Sequence, residues 1–209
     1  MLHQTKKLVT MKITLLPAIT LGHQNNIKSP DIRLDELSYT THIIDRIHTQ
    51  LMESAKHTPF ITISKLSSSI DQIAEQLKQL TQTTPQSSNC IIAVGLNSTI
   101  DDGHYHTPTG WTVINSPQSR ESERLATALA QASIEILGSR AISPQGQMPS
   151  HRYINQAAIL DTIQAPAVLT LNLYQDNRKD TAYLLSDKGR QAIIDLHVKG
   201  ILTYLGLSS

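Results

Sequence analysis

The run from Cys90 to Leu96, CIIAVGL, constrains the fold more than any other stretch of the chain. It is apolar throughout, with the polar loop Thr83 to Asn89 (TTPQSSN) before it and Asn97-Ser98 after it. Such a run is expected of a strand covered on both faces in an open, largely parallel sheet. The helices needed to cover it are legible too. Ile43, Ile44, Ile47 and Leu51 line one face of a helix from about Leu34 to Ala55, and Leu125, Leu129, Ala132 and Ile136 do so from Ser119 to Leu137. Ile70, Ile73, Leu77 and Leu80 repeat at helical spacing behind a possible cap at Ser67 to Ser69. A closing helix from about Gly189 to Leu205 turns Ile194, Val198, Ile201 and Leu205 inward.

Further strands are expected from Lys12, over Pro59 to Ser64, over Gly110 to Ile114 and over Ala165 to Tyr174, with a short helix starting at Asp176-Asn177 and running through Leu185. Tyr153 to Ile163 fits a short helix or a strand, and Gly138 to Ser150 reads as a long loop. Strands alternating with helices predict an α/β fold: a three-layer sandwich with a mostly parallel five- or six-stranded sheet and helices on both faces. A chain of 209 residues with no break in composition fits one domain, residues 11–209, behind a loose leader at residues 1–10.

Charge narrows the partners. A net charge of +1 with 17% charged residues gives no basic field for nucleic acid. No stretch reaches the roughly 18 apolar residues of a membrane span. The single cysteine, Cys90, cannot form an internal disulfide, and within its apolar run it reads as a buried, inert thiol. Lys6-Lys7 followed by LVTMKITLLPAITLG has the outline of a secretory signal, but Lys12 interrupts it and no small-x-small site follows. The expectation is synthesis in the cytoplasm, with release by lysis or carriage in a particle.

Open α/β sheets place their chemistry at the carboxyl ends of the strands. Three such ends stand out: Gly22-His23, Gly95-Leu96-Asn97, and Leu171 to Asn177. His23 follows the first strand and Glu36 opens the first long helix, where the helix dipole favours a carboxylate. An imidazole and a carboxylate suit a catalytic zinc, which takes three protein ligands and keeps one position for water. An isolated histidine after a strand is more often a solvated loop residue. His42 and His48 read as partly exposed helix histidines, and His197 as a histidine at the edge of the core.

In this order the three strand ends resemble the class 3 zinc-dependent N-acetylmuramoyl-L-alanine amidases, which cut between the glycan and the stem peptide of peptidoglycan. The resemblance spans Lys12 to Gly206. Gly22-His23 matches the family's Gly-His, and Glu36 in DELSY matches its second zinc ligand. The family's third ligand is a histidine in a Ser-Ile-His-x-Asn turn, which aligns with Ala93-Val94-Gly95-Leu96-Asn97. The asparagine is kept, but the histidine position is Gly95. Gly110 to Val113 and Ser122 to Ala126 match framework positions of the family. Its Pro-Ala-Val-Leu-x-Glu segment, which carries the catalytic base, aligns with Pro166 to Leu171, so the base position is Leu171, and Asn177 stands at the family's following asparagine.

The resemblance therefore implies a diverged amidase-like protein, inactive and retained as a peptidoglycan-binding or assembly module, with a peptidoglycan fragment or a protein as partner. A zinc-bound water needs a base, and leucine is none. A positioned base contributes roughly 10² to 10⁴ in rate, about 3 to 5 kcal/mol of barrier. Zinc with two protein ligands, His23 and Glu36, is held weakly or not at all. The alternative is an active zinc amidase in which the loop Asp101 to Pro108 folds back and His104 or His106 supplies the third imidazole, beside Asp101 or Asp102. Asn97 and Asn177 are expected to line the same cleft.

Overall fold

The computed structural model describes residues 11–18, 28–58, 61–66, 89–115, 119–141 and 165–207. The leader, the Gly22-His23 turn, the helix expected over 67–80 and the ambiguous Tyr153 to Ile163 segment lie outside the described residues.

Five strands form one sheet: β1 (Met11–Pro17), β2 (Ile61–Lys65), β3 (Asn89–Asn97), β4 (Trp111–Asn115) and β5 (Ala167–Tyr174), in the order β2-β1-β3-β5-β4. All neighbours are parallel except β4, which runs antiparallel to β5 at the edge. The fold is the expected α/β architecture with a mostly parallel sheet. Every residue of β3 is buried, as its apolar run demands. Alternation then sorts the side chains. Cys90, Ile92, Val94 and Leu96 join the larger core, whereas Ile91 and Ala93 point to the opposite face.

The larger core is closed by three long helices: α1 (Glu36–Ala55), α2 (Arg120–Leu137) and α4 (Asp187–Leu205). Ile43, Ile47, Leu51, Leu125, Leu129, Ile193 and Ile201 are fully buried there against the sheet. Each fully buried side chain of this kind is worth roughly 1.5 to 3 kcal/mol of transfer free energy. The short α3 (Arg178–Leu185) connects β5 to α4. The caps follow from sequence: Asp35, Ser119, Asn177 and Ser186 each accept a backbone N–H of the first turn behind them. Gly138 to Ala141 form a 3₁₀ turn where the sequence suggests only loop. Among the described residues no helix is long and apolar enough to cross a membrane.

The second face of the sheet carries a smaller cluster of Leu16, Ala18, Ile91, Ala93, Ala167, Leu169 and Leu171. These residues are as buried as those of the main core.

Candidate functional site

The strand order creates a switch point. From β1 the chain crosses through α1 to β2 on one side, then returns to build β3 on the other side of β1. The carboxyl ends of β1 and β3 therefore diverge, and this is where open α/β sheets bind ligands. Ala18 leaves β1 at this point, Gly95 lies near the end of β3, and Glu36 enters from the first turn of α1.

Glu36 is almost wholly buried, with 1% of its surface exposed. A buried carboxylate must be paired or hydrogen-bonded. Its Oε1 accepts the backbone N–H of Leu96 at 3.2 Å, and its Oε2 accepts Nε2 of Gln175 at 3.4 Å. Its place on the first residue of α1 adds the favourable end of the helix dipole.

Gly95 faces that carboxylate. A Cβ built on Gly95 would stand 3.5 Å from Glu36 Oε1, so a side chain at this position would enter the same space. It would also stand 2.7 Å from the Cβ of Ala18, closer than real Cβ atoms approach one another. The glycine thus lets the exit of β1 pack directly on β3. Leu171 pairs with Gly95 in the parallel register of β3 and β5, and it lies fully buried in the small apolar cluster with Leu16, Ala18 and Ala93. Glu36 and Leu171 thus both adjoin Gly95. His23 lies outside the described residues.

Immediately after Leu171 the ladder is irregular. Gly95 pairs with Leu171 but Asn97 pairs with Tyr174, so β5 holds one extra residue, a bulge of the kind often found beside functional sites. Leu173 absorbs it with φ +66°, a conformation that a bulky side chain rarely adopts. Beneath the bulge runs a buried polar chain. Trp111 Nε1–H donates to Asn172 Oδ1 at 2.8 Å, and Asn172 Nδ2 donates to the Gly95 carbonyl at 3.0 Å and to Thr170 Oγ1 at 3.3 Å. Thr170 Oγ1 is 2.9 Å from His197 Nε2, and His197 Nδ1 is 2.7 Å from the Ile193 carbonyl. A carbonyl only accepts, so Nδ1 carries the proton and the threonine hydroxyl donates to Nε2. His197 is therefore a fully buried, neutral histidine rather than one at the core edge, and burial pushes its pKa down to about 4.

The loop after β3 is tied to the end of β5. Asp176 Oδ2 accepts the N–H of Thr99 at 2.6 Å and of Ile100 at 3.3 Å, while the His106 N–H donates to the Asp176 carbonyl at 2.6 Å. Burial pushes the carboxyls of both Asp176 and Asp180 above the usual range. Asn177, besides capping α3, donates through Nδ2 to the carbonyls of His106 and Thr107. Asn97 is buried, its carbonyl accepting the N–H of Gln175 at 2.8 Å and its Oδ1 the N–H of Ser98 at 2.9 Å. His104 is exposed, and His106 Nε2 is 3.0 Å from Asp102 Oδ1. That bond holds the Asp102 carboxyl below its ordinary range. Among the described residues no group of three or more His, Cys, Asp and Glu side chains is arranged to hold a metal ion.

Gln175 is the residue that sequence reading missed. It carries no charge and belongs to no motif, and its importance arises only from where the β5 bulge delivers it.

This sheet and its helices form the fold of the N-acetylmuramoyl-L-alanine amidases. The N-acetylmuramyl-L-alanine amidase Ami1 from Mycobacterium smegmatis superposes with a TM-score of 0.66 at 19% identity, over 96% of this chain and 99% of that one. The N-acetylmuramoyl-L-alanine amidase from Clostridium difficile 630 gives 0.67 at 14% identity, over 94% and 97%. The CwlD amidase from Clostridioides difficile, solved in complex with the GerS lipoprotein, gives 0.66 at 14% identity, over 95% and 100%. No protein-family model matches the sequence, and no curated protein matches it.

Proposed function

We propose that this chain is a diverged N-acetylmuramoyl-L-alanine amidase-like protein that does not hydrolyse peptidoglycan and serves as a peptidoglycan-binding or assembly module. The observation that carries the reading is the environment of Leu171. It is fully buried beside Leu16, Ala18, Ala93 and Leu169, opposite Gly95 on the neighbouring strand, and its own side chain cannot accept a proton. The amidase fold supports the peptidoglycan connection.

The described residues do not suit a catalytic zinc. Position 95 offers no ligand atom and a side chain there is closed off by Ala18, which leaves Glu36 as the one carboxylate beside it among the described residues. His104 and His106 are weak candidates to replace a ligand, since one is exposed and the other is bound to Asp102 and tied to the Asp176 turn. For an assembly role, a protein partner is the natural candidate, as one protein of this fold, the CwlD amidase, was solved with a lipoprotein.

The test is incubation of purified sacculi with the protein, with and without zinc, followed by co-sedimentation and by assay of released stem peptide. Co-sedimentation without release is expected. Release that a chelator abolishes overturns the reading.

A further inference from the structure

We propose that Gln175 is the positioning residue for Glu36, and that the junction of α1, β3 and β5 at the switch point is closed by protein hydrogen bonds in the place where a metal ion would otherwise gather the chain. The inference deepens the reading above and rests on it for the absence of zinc at Glu36.

Gln175 follows directly on the β5 bulge and is fully buried. Its N–H donates to the Asn97 carbonyl at 2.8 Å, which pins it to the end of β3. Its carbonyl accepts Ser29 Oγ at 2.6 Å and Thr181 Oγ1 at 2.9 Å, one from the segment leading into α1 and one from α3. Four parts of the fold thus meet on one residue. The side chain then reaches Glu36, and because a carboxylate only accepts, the amide must present its NH₂ side to Oε2. The distance of 3.4 Å is long, but both residues are excluded from water, where a hydrogen bond is stronger than at the surface.

The other carboxylate oxygen is served by the Leu96 N–H on β3. Glu36 is therefore held between neighbouring strands, by a main-chain donor on one side and the Gln175 amide on the other. On the far side of this pair, Ala18 fills the space in front of Gly95. A metal ion at Glu36 would have to share its oxygens with these donors, and neither Gly95 nor Ala18 offers it a ligand. The arrangement does the mechanical task of a metal, tying a helix start to two strand ends, without the ion.

Gln175 acts through Glu36, so its test needs a readout that loss of packing alone would not move. Gln175→Met keeps the size and removes the donor. Glu36→Gln removes the charge that needs it. Thermal unfolding of the full chain would be followed for both single variants and the double variant, and for the unmodified chain in chelator and in excess zinc, with bound zinc measured directly. Gln175→Met is expected to lower the midpoint by roughly 5 °C, and adding Glu36→Gln to it should recover part of that loss. The unmodified chain should melt at the same temperature in chelator and in zinc. Strict additivity of the two substitutions, or one tightly held zinc per chain that Glu36→Gln releases, overturns the proposal. The zinc arm uses the unmodified chain and decides the matter even where Gln175→Met fails to fold. Zinc held without hydrolysis of sacculi overturns the clamp alone. Hydrolysis with the coupling intact overturns the proposed function alone.

Discussion

Gly95 and Leu171 sit side by side in the parallel ladder of β3 and β5, and neither carries a group able to bind a metal or move a proton. What surrounds them decides how reversible that is. Ala18 packs where a side chain on Gly95 would start, and Leu171 is enclosed with Leu16, Ala93 and Leu169. The pair is built into the packing of the sheet's second face.

The Ala18 contact gives the first prediction. Gly95→Ala places a Cβ 2.7 Å from the Cβ of Ala18, an atom fixed to the backbone that cannot rotate away. Overpacking of this kind costs roughly 1 to 3 kcal/mol. The unfolding midpoint should fall by several degrees, and Ala18→Gly in the same chain should restore part of it. If Gly95→Ala alone proves neutral in thermal unfolding, the exit of β1 is not packed as described.

Leu173 sets two effects against each other. Its φ of +66° costs of the order of 1 to 3 kcal/mol, which glycine would relieve. Its side chain is fully buried in the main core, however, and deleting a buried leucine costs roughly 2 to 5 kcal/mol. Packing wins on these magnitudes. Leu173→Gly should destabilise in chemical denaturation, though less than the same substitution at Leu169, whose backbone carries no positive φ.

His197 sets a pH dependence. Folded, it takes up a proton only near pH 4, whereas in the unfolded chain it does so near pH 6.5. Between those values the unfolded state binds the extra proton, so stability falls as pH drops from about 6.5 to about 4. The loss reaches about 3 kcal/mol and levels off below pH 4. Asp176 and Asp180, raised by burial, contribute with the opposite slope, losing stability as pH rises. The useful measurement is therefore the difference between the unmodified chain and His197→Phe in denaturant unfolding across pH 4 to 7. A constant offset between the two would sink the assignment.

Much of the fold was legible because its signals are local. The apolar run of β3, the helical spacing of Ile43 to Leu51, and the helix starts near Ser119 and Asn177 each rest on a few neighbouring residues and appear where expected. The edge strand β4 is harder, since its antiparallel direction depends on the preceding loop staying at the end of β5, where Asp176 and Asn177 hold it, rather than on WTVIN itself. The candidate site was half legible. Glu36, Gly95 and Leu171 were found through a motif resemblance, and they do meet. Gln175 was not found, because its contact with Glu36 spans 139 positions and depends on one extra residue in β5. The burial of His197 was missed because its partner Thr170 lies on another element and reads as an ordinary strand residue.

The last prediction concerns restoring hydrolysis. The unmodified chain, supplied with zinc, should release no stem peptide from sacculi, since both a metal-bound water and a base to deprotonate it are needed and one without the other does little. Leu171→Glu puts a carboxylate into an apolar cluster that is closed to water, where an unpaired charge is costly enough that the group would rather stay protonated or unfold its surroundings. Its midpoint should fall sharply, with no activity gained. Gly95→His aims an imidazole at Glu36 but drives its Cβ into Ala18, so it should bind zinc poorly unless Ala18→Gly accompanies it. Only the triple variant Ala18→Gly, Gly95→His and Leu171→Glu supplies space, ligand and base together. Stem-peptide release by the double variant Gly95→His and Leu171→Glu, with Ala18 unchanged, would show that the β1 exit yields easily and that the block lies in chemistry alone.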